Sequence, residues 1–459
     1  MNVYIHVEIA ARELDSKLLL AVIAASRGHE VIVLNIGTIM KLIKNKKIAP
    51  GVFHTKSLTP GQKKINRHQL LKENGFLITS IDEEGNLVDH GYDSFAKVRY
   101  SEHTISQSAA VFCWGLEDAR SLEKTYPACS DKVFKTGSPR ADLWKPTLSS
   151  YWKPPKGMPA RPYLLISSNM GTANNIRPLH EIVCSEREGG YYQRDPGMFE
   201  RKFGVVAEDY RMTYSFIEAI QHLSKSNPGY DIVFRPHPVE NIDAWKVYLE
   251  GLPNVHVIRE GSITAWVNHA FAVMHNGCTT AMEANVSGKP VVTFIPFEQK
   301  FARAIPNELG EHVTTLDELS LTINKLFKEH NKTKARLDQL ELHESVAKKI
   351  YIDPEELAAE KMVSVWEEIH ADMQVKPNNW KNISLFFIAY NFKNLIKPLV
   401  RILLPGLYKA PKENFKFPPL DKNDIRDRVN RLRKILNIEV ELHCKVLSDR
   451  AVLIKKISR

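Results

Sequence analysis

Cysteine is scarce in this 459-residue chain: there are five, Cys113, Cys129, Cys184, Cys278 and Cys444. They are odd in number and scattered, so they fit neither a zinc-ligand spacing nor a disulfide framework, and they point to the reducing cytoplasm. No apolar run reaches 18 residues, which speaks against a membrane-spanning helix. Met1-Asn2-Val3-Tyr4-Ile5 runs directly into an apolar strand, without the charged start, apolar core and cleavage site of a secretory leader. Gly-x-x-x-x-Gly-Lys, His-Glu-x-x-His and an Asp-x-Asp pair are all missing, so no metal is implied. Internal repeats and low-complexity tracts are missing too. Even net charge is missing from most of the chain. Residues 1–379 hold 45 Lys and Arg against 46 Asp and Glu, whereas residues 380–459 hold 18 against 7. The whole positive excess lies in that tail, which suggests an anionic partner.

What is present alternates. Val3–Val7, then a helical pattern from Leu14 to Arg27 closed by Gly28, then Glu30–Leu34 form a β-α-β opening, the start of a parallel sheet. Further apolar runs at 76–80, 110–115 and 132–137 continue it to about residue 145. Residues 146–162 are rich in proline and poor in aliphatics and read as a linker. A second α/β series follows, with strands expected at 163–167, 231–234, 255–258, 270–274 and 291–294, and helices at 210–224 and 316–327. Residues 334–372 read as helical and able to cross back to the first half. We therefore expect two Rossmann-like α/β/α domains facing a cleft, at 1–145 and 163–372, joined by the 146–162 linker and followed by a basic helical region at 373–459.

Two motifs close strands of the second half. Arg235-Pro236-His237-Pro238 follows one apolar run, and the segment from His275 to Ala284 follows another. Ligands of open α/β sheets sit at the carboxyl ends of strands, so both mark a site for a phosphorylated donor. Pro238 holds His237 extended, which lets the imidazole donate to a phosphate. Arg235, two residues back on the same face of the strand, offers a bidentate contact. Gly277, beside Asn276, permits close backbone approach. Thr279 or Thr280 caps the next helix, whose start suits an anion, and Glu283 is placed to accept from a ribose or base. Ser168 and Asn169 head a small, polar loop of the kind that holds phosphate or sugar. Gly137-Ser138-Pro139-Arg140 closes the first half, with Arg140 its candidate ligand contact and Asp142 its expected partner. Glu8, Glu13 and Asp15 crowd the first β-α connection with Arg12. One of them could act as general base toward an acceptor hydroxyl, although acidic residues also favour a helix's first turn for electrostatic reasons alone.

Glu8 with the run Arg12-Glu13-Leu14-Asp15-Ser16-Lys17-Leu18-Leu19-Leu20, Gly137-Ser138-Pro139-Arg140, and His237-Pro238 with the Asn276–Glu283 segment together resemble the bacterial surface-carbohydrate biosynthesis proteins. These are GT-B glycosyltransferases related to the capsule and lipopolysaccharide enzymes that transfer Kdo from CMP-Kdo. The resemblance spans residues 1 to about 370. It implies an N-terminal acceptor domain and a C-terminal donor domain. It implies a CMP-sugar as co-substrate, with no further cofactor, and a glycan or lipid-linked glycan as acceptor. By the same resemblance His237 contacts the CMP phosphate, and Thr279 and Thr280 hold the rest of the nucleotide. The chain departs from the retaining Kdo transferases in offering Ser168-Asn169, and no evident Asp, where their carboxylate nucleophile lies. A CDP-glycerol glycerophosphotransferase and a UDP-sugar 2-epimerase share the two-domain plan and stand as alternatives.

The tail fits an enzyme working peripherally at the inner membrane. Phe386, Phe387, Leu395 and Ile396 are read on one side of an amphipathic stretch, with Lys393, Lys397 and Arg401 on the other. Pro398 is expected to kink or break any helix there. A non-catalytic protein using the tail on nucleic acid is the reading of a different class. It is disfavoured because 424–436 carries no base-stacking aromatics among its charges.

Overall fold

The computed structural model describes residues 1–85, 92–195, 197–226, 229–301, 304–330, 342–374, 376–403 and 416–457. The chain divides into two compact units, Met1–Leu143 with Ala347–Arg459, and Trp144–Val346.

The first unit begins with six strands: β1 Asn2–His6, β2 Glu30–Leu34, β3 Val52–Thr55, β4 Leu77–Ile81, β5 Ala110–Cys113 and β6 Val133–Lys135. All pair in parallel, and β1 lies between β2 and β3. Every residue of β1 is buried, as expected of a strand covered on both faces. The Ala10–Ser26 helix follows β1 and buries Leu18, Leu19, Leu20, Ala21 and Val22. A Cβ at Gly51 would stand 2.2 Å from the Asn2 carbonyl oxygen, so only glycine lets the chain entering β3 pass β1.

The second unit carries β7 Tyr163–Ser167, β8 Asp231–Arg235, β9 Val255–Val257, β10 Ala272–His275, β11 Val291–Phe294 and β12 Glu311–Val313. Their order is β12-β11-β10-β7-β8-β9, all parallel. Counted from β7, this is 6-5-4-1-2-3, the doubly wound order of dinucleotide-binding domains, whose direction of winding reverses between the first and fourth strands. That switch point lies between β7 and β10. The helix expected at 210–224 is longer, Gly197–Ser226. The segment read as a linker is part of this unit: Pro146–Tyr151 forms a 3-10 turn, and Leu148, Tyr151 and Trp152 are buried.

The boundary expected at 372 is corrected, because the chain rejoins the first unit at Ala347. The Ala358–His370 helix packs on Ala10–Ser26, and Asp142 accepts from the N–H groups of Ala358 and Ala359 at 3.1 and 3.0 Å. Asp142, expected as the partner of Arg140, thus caps that helix. Residues 373–459 are no separate appendage either. After the helices Trp380–Leu403 and Lys422–Ile435 come β13 Leu442–Ser448 and β14 Ala451–Lys456. This hairpin adds antiparallel to β2, completing the order β13-β14-β2-β1-β3-β4-β5-β6. The Trp380–Leu403 helix runs through Pro398. It is already well propagated there, and the lost N–H falls in its last turns. Side chains from 397 to 403, Lys397 and Arg401 among them, and residues 331–341 and 404–406 lie outside the described set.

The chain is thus two Rossmann-like α/β units, a GT-B-like composition. In the first unit the β2-β1-β3-β4-β5 order places its own switch point between β1 and β3.

Candidate functional site

In the second unit the loops after β7 and β8 are tied together by one carboxylate. Glu240 is fully buried. It accepts from Ser168 Oγ at 2.9 Å, the Met170 N–H at 3.0 Å and Trp245 Nε1 at 2.6 Å. Burial pushes its carboxyl up, and these donors pull it back toward the charged form. Ser168 Oγ in turn accepts the His237 N–H at 3.1 Å. Backbone bonds from Ile176 to Val239 and from Asn241 to Asn174, both 2.8 Å, close the pair of loops.

His237 is therefore held by its main chain, while its ring lines an open pocket. The Val239 N–H donates to His237 Nδ1 at 3.4 Å. With Nδ1 accepting, the neutral ring carries its proton on Nε2.

The loop after β10 forms the opposite wall. Gly277 has φ +75°, a conformation that favours glycine. Its N–H donates to Nδ1 of the fully buried His275 at 3.1 Å. Thr293 gives its hydroxyl proton to the Leu309 carbonyl at 2.6 Å, so His275 Nε2 donates to Thr293 Oγ1 at 2.9 Å. Burial lowers the pKa of His275 to about 3, which keeps this relay neutral. Asn169 Nδ2 donates to the Gly277 carbonyl at 3.1 Å, joining the loops on the two sides of the switch point.

The pocket has a volume of about 270 Å³. Asn169, His237 and Asn276, three of the expected residues, meet there. Lys202, Asp209 and Asn307 also line it and were not anticipated. The side-chain carbonyls of Asn276 and Asn307 are buried without a hydrogen-bond partner among the described residues. Buried polar groups are rarely left so, and these two suit a polar ligand. Asp209 accepts the Thr172 N–H at 3.0 Å, and burial raises its pKa to about 6. A Cβ at Gly171 would come within 2.5 Å of Val239 Cγ2, so any other residue there would have to displace that side chain.

Other expected residues are placed elsewhere. Arg235 does not share His237's direction: β8 ends at Arg235 and the chain turns. Its guanidinium donates to the carbonyls of Glu260, Arg259 and Gly261 at 2.6, 2.9 and 3.0 Å and stacks on Trp266. Burial lowers its pKa to about 10. Its donors brace the loop after β9, so the phosphate contact drawn for it is corrected. Pro238 shapes the loop without lining the pocket, and Ser168 is consumed by Glu240. The Thr280–Val286 helix has seven residues. Thr279 precedes it in helical geometry without a side-chain cap, Thr280 Oγ1 lies 3.2 Å from Cys278 Sγ, and Glu283 is buried. None of these three lines the pocket. The loop before the helix, rather than its start, faces the space.

In the first unit the carboxylates separate. Glu13 is wholly buried, accepting the Glu8 N–H at 2.8 Å. Burial and the charge of Glu83 raise its pKa. Asp15 is buried against Arg428 at 2.6 Å. Neither reaches an open surface as a base would. Glu8 borders a pocket, but Lys56 and Lys416 hold it at 2.6 and 2.9 Å. Against the upward push of partial burial, these bonds bring its pKa down to about 2, which makes it a weak base. Arg140 donates to the Glu83 carbonyl at 3.4 Å and lies over Trp114, within the first unit.

No protein-family model and no curated protein matches the chain. Solved structures similar to it include a UDP-N-acetylglucosamine 2-epimerase, at 12% identity over 82% of this chain and 98% of that one, TM-score 0.48. The UDP-GlcNAc 2-epimerase of Neisseria meningitidis bound to UDP-GlcNAc shares 12% identity over 79% and 98%, TM-score 0.43. The wall teichoic acid polymerase TagF, soaked with CDPG, shares 9% over 71% and 74%, TM-score 0.44.

Proposed function

We propose that the chain is a nucleotide-sugar-processing enzyme of bacterial surface-glycan assembly. In this reading it is a glycosyltransferase that moves Kdo or another nonulosonic acid from a CMP donor. The observation that carries the reading is the switch-point pocket, which His237, Asn276 and Asn307 line together, the buried amide carbonyls of the two asparagines having no hydrogen-bond partner among the described residues. The donor phosphate accepts from His237 Nε2, with Lys202 adding charge, and the ribose hydroxyls meet Asn276, Asn307 and Asp209. His237 supplies binding and neutralisation of the phosphate as the glycosidic bond to the sugar breaks.

Transfer to a lipid-linked glycan calls for a position at the cytoplasmic face of the inner membrane. Among the described residues no helix is long and apolar enough to cross a membrane. The Trp380–Leu403 helix instead offers a surface. Ile383 and Phe387 are buried in the first unit's core, whereas Leu385, Ile388, Phe392 and Leu395 are exposed. Their spacing of three and four residues makes one apolar stripe, beside Lys381 and Lys393, suited to an anionic leaflet.

Calorimetry with CMP, CDP, UDP and GDP on the wild type and His237→Ala tests the donor. CMP should bind best, and the variant should lose ten- to a hundredfold, the worth of one hydrogen bond to a charged group. A preference for CDP would favour a CDP-glycerol transferase, and one for UDP an epimerase. Absence of nucleotide binding would refute the pocket assignment.

A further inference from the structure

The first unit has an open pocket of about 360 Å³ that the donor site does not use. It is lined from the carboxyl ends of β1, β2 and β3: His6 and Thr55 close β1 and β3, Glu8 follows β1, Asn35 follows β2, and Lys56 and Ser57 follow β3. This is the β1/β3 switch point, the place where open sheets of this order take ligands.

Its charge is one-sided. Lys56, Lys64, Arg67, Lys416 and Arg450 line it, against the single carboxylate of Glu8. Glu8 answers Lys56 and Lys416. Lys64 Nζ is held by Ser57 Oγ at 2.9 Å, and its pKa is lowered by burial and then by the nearby charge of Lys56. The half-buried Arg67 guanidinium makes no hydrogen bond or ion pair among the described residues. Burial lowers its pKa as well. His6 is only 4% exposed, its Nδ1 lies 3.3 Å from Thr55 Oγ1, and its Nε2 has no partner among the described residues. Like charges gathered in a partly dry pocket repel, and a buried ring nitrogen without a partner costs free energy. Both conditions are relieved by one ligand rich in anionic oxygen. Val7, Ile36 and Phe417 add an apolar wall.

We infer that this pocket binds the phosphate group of a phosphorylated ligand, with Arg67 and Lys64 as its principal cations and His6 beside them. A phosphate monoester brings about −1.5 to −2 charge and three acceptor oxygens, matching the surplus of cations better than a single carboxylate. The inference goes beyond the donor assignment and rests on it only in identifying the ligand as the acceptor.

The test is calorimetry on the full chain with glycerol 3-phosphate, dihexanoyl phosphatidate and glycerol. Both phosphates should bind and glycerol should not. Arg67→Met should weaken phosphate binding at least tenfold, as should Lys64→Met, which serves if the first variant does not fold. His237→Ala should leave phosphate binding intact, and Arg67→Met should leave CMP binding intact. A failure of CMP to bind thus speaks against the donor site alone. Phosphatidate at least tenfold tighter than glycerol 3-phosphate would identify a lipid-borne phosphate and equal affinities a soluble one; either upholds the site. No phosphate binding, binding untouched by both cation variants, or binding lost in His237→Ala would overturn it.

Discussion

Glu240 gives the sharpest test of how the donor loop is built. Replacing it with Ala leaves Trp245 Nε1, the Met170 N–H and the Ser168 hydroxyl without their acceptor. A buried donor without an acceptor costs about 1–3 kcal/mol, so three cost roughly 3–6 kcal/mol even at modest values. Removing the carboxylate also relieves its own desolvation, which offsets about 2 kcal/mol or more. The net loss expected for the second unit is about 3 kcal/mol. With a urea slope of about 2–3 kcal/mol/M, the unfolding midpoint of that unit should fall by roughly 1 M. Glu240→Gln keeps one acceptor oxygen but turns an amide N–H toward existing donors, so an intermediate loss of about 1–2 kcal/mol is expected. Because Ser168 also receives the His237 N–H, CMP affinity should weaken several-fold in the Ala variant even where the protein is folded. Urea titration followed by tryptophan fluorescence and circular dichroism, with calorimetry on the folded protein, measures both effects. An Ala variant with wild-type midpoint and wild-type CMP affinity would refute the claim that this carboxylate positions His237.

Two further expectations are independent of that one. Asp209 has its pKa raised to about 6 by burial, so the folded state binds a proton that the unfolded state has lost. Its contribution to stability therefore falls as pH rises from about 4 to 6, by roughly 2 kcal/mol after allowing for partial exposure. Asp209→Asn should flatten a pH series of urea midpoints across that window, and an unchanged slope would exclude the effect. Ile388 and Phe392 are 65% and 63% exposed, so the double change Ile388→Asp, Phe392→Asp should move stability by less than about 1 kcal/mol. It should lower co-sedimentation with anionic vesicles at least tenfold; equal sedimentation would show that this stripe does not meet lipid.

The strands visible in the sequence are those that are mostly apolar, such as Glu30–Leu34 and Val291–Phe294, because a parallel sheet buries both faces. β3, Val-Phe-His-Thr, escaped notice because half of it is polar; His54 nevertheless lies wholly buried against Lys17 and Thr79. β13 and β14 escaped because their lysines read as a solvated tail, while Ala451–Ile454 lie buried within the first unit's sheet. Among the site residues, His237, Asn169 and Asn276 were legible as polar residues at strand ends. Glu240 was not. Nothing local shows that a carboxylate after a His-Pro pair will fold inward, although the buried indole of Trp245, which needs an acceptor, was a clue. Arg235 misled because alternation of faces holds only while a strand continues, and β8 stops there.

The first unit is written in two parts, with the second unit between Leu143 and Ala347. On the ribosome this imposes an order. Trp144–Val346 can complete its fold soon after it emerges, while the N-terminal sheet waits with the edge of β2 open until β14, more than four hundred residues later, arrives to cover it. An unpaired parallel-sheet edge is a template for wrong pairing. During synthesis the nascent N-terminal half is therefore the stretch most in need of chaperone protection, and a messenger cut short before β14 would yield a product whose exposed edge invites aggregation.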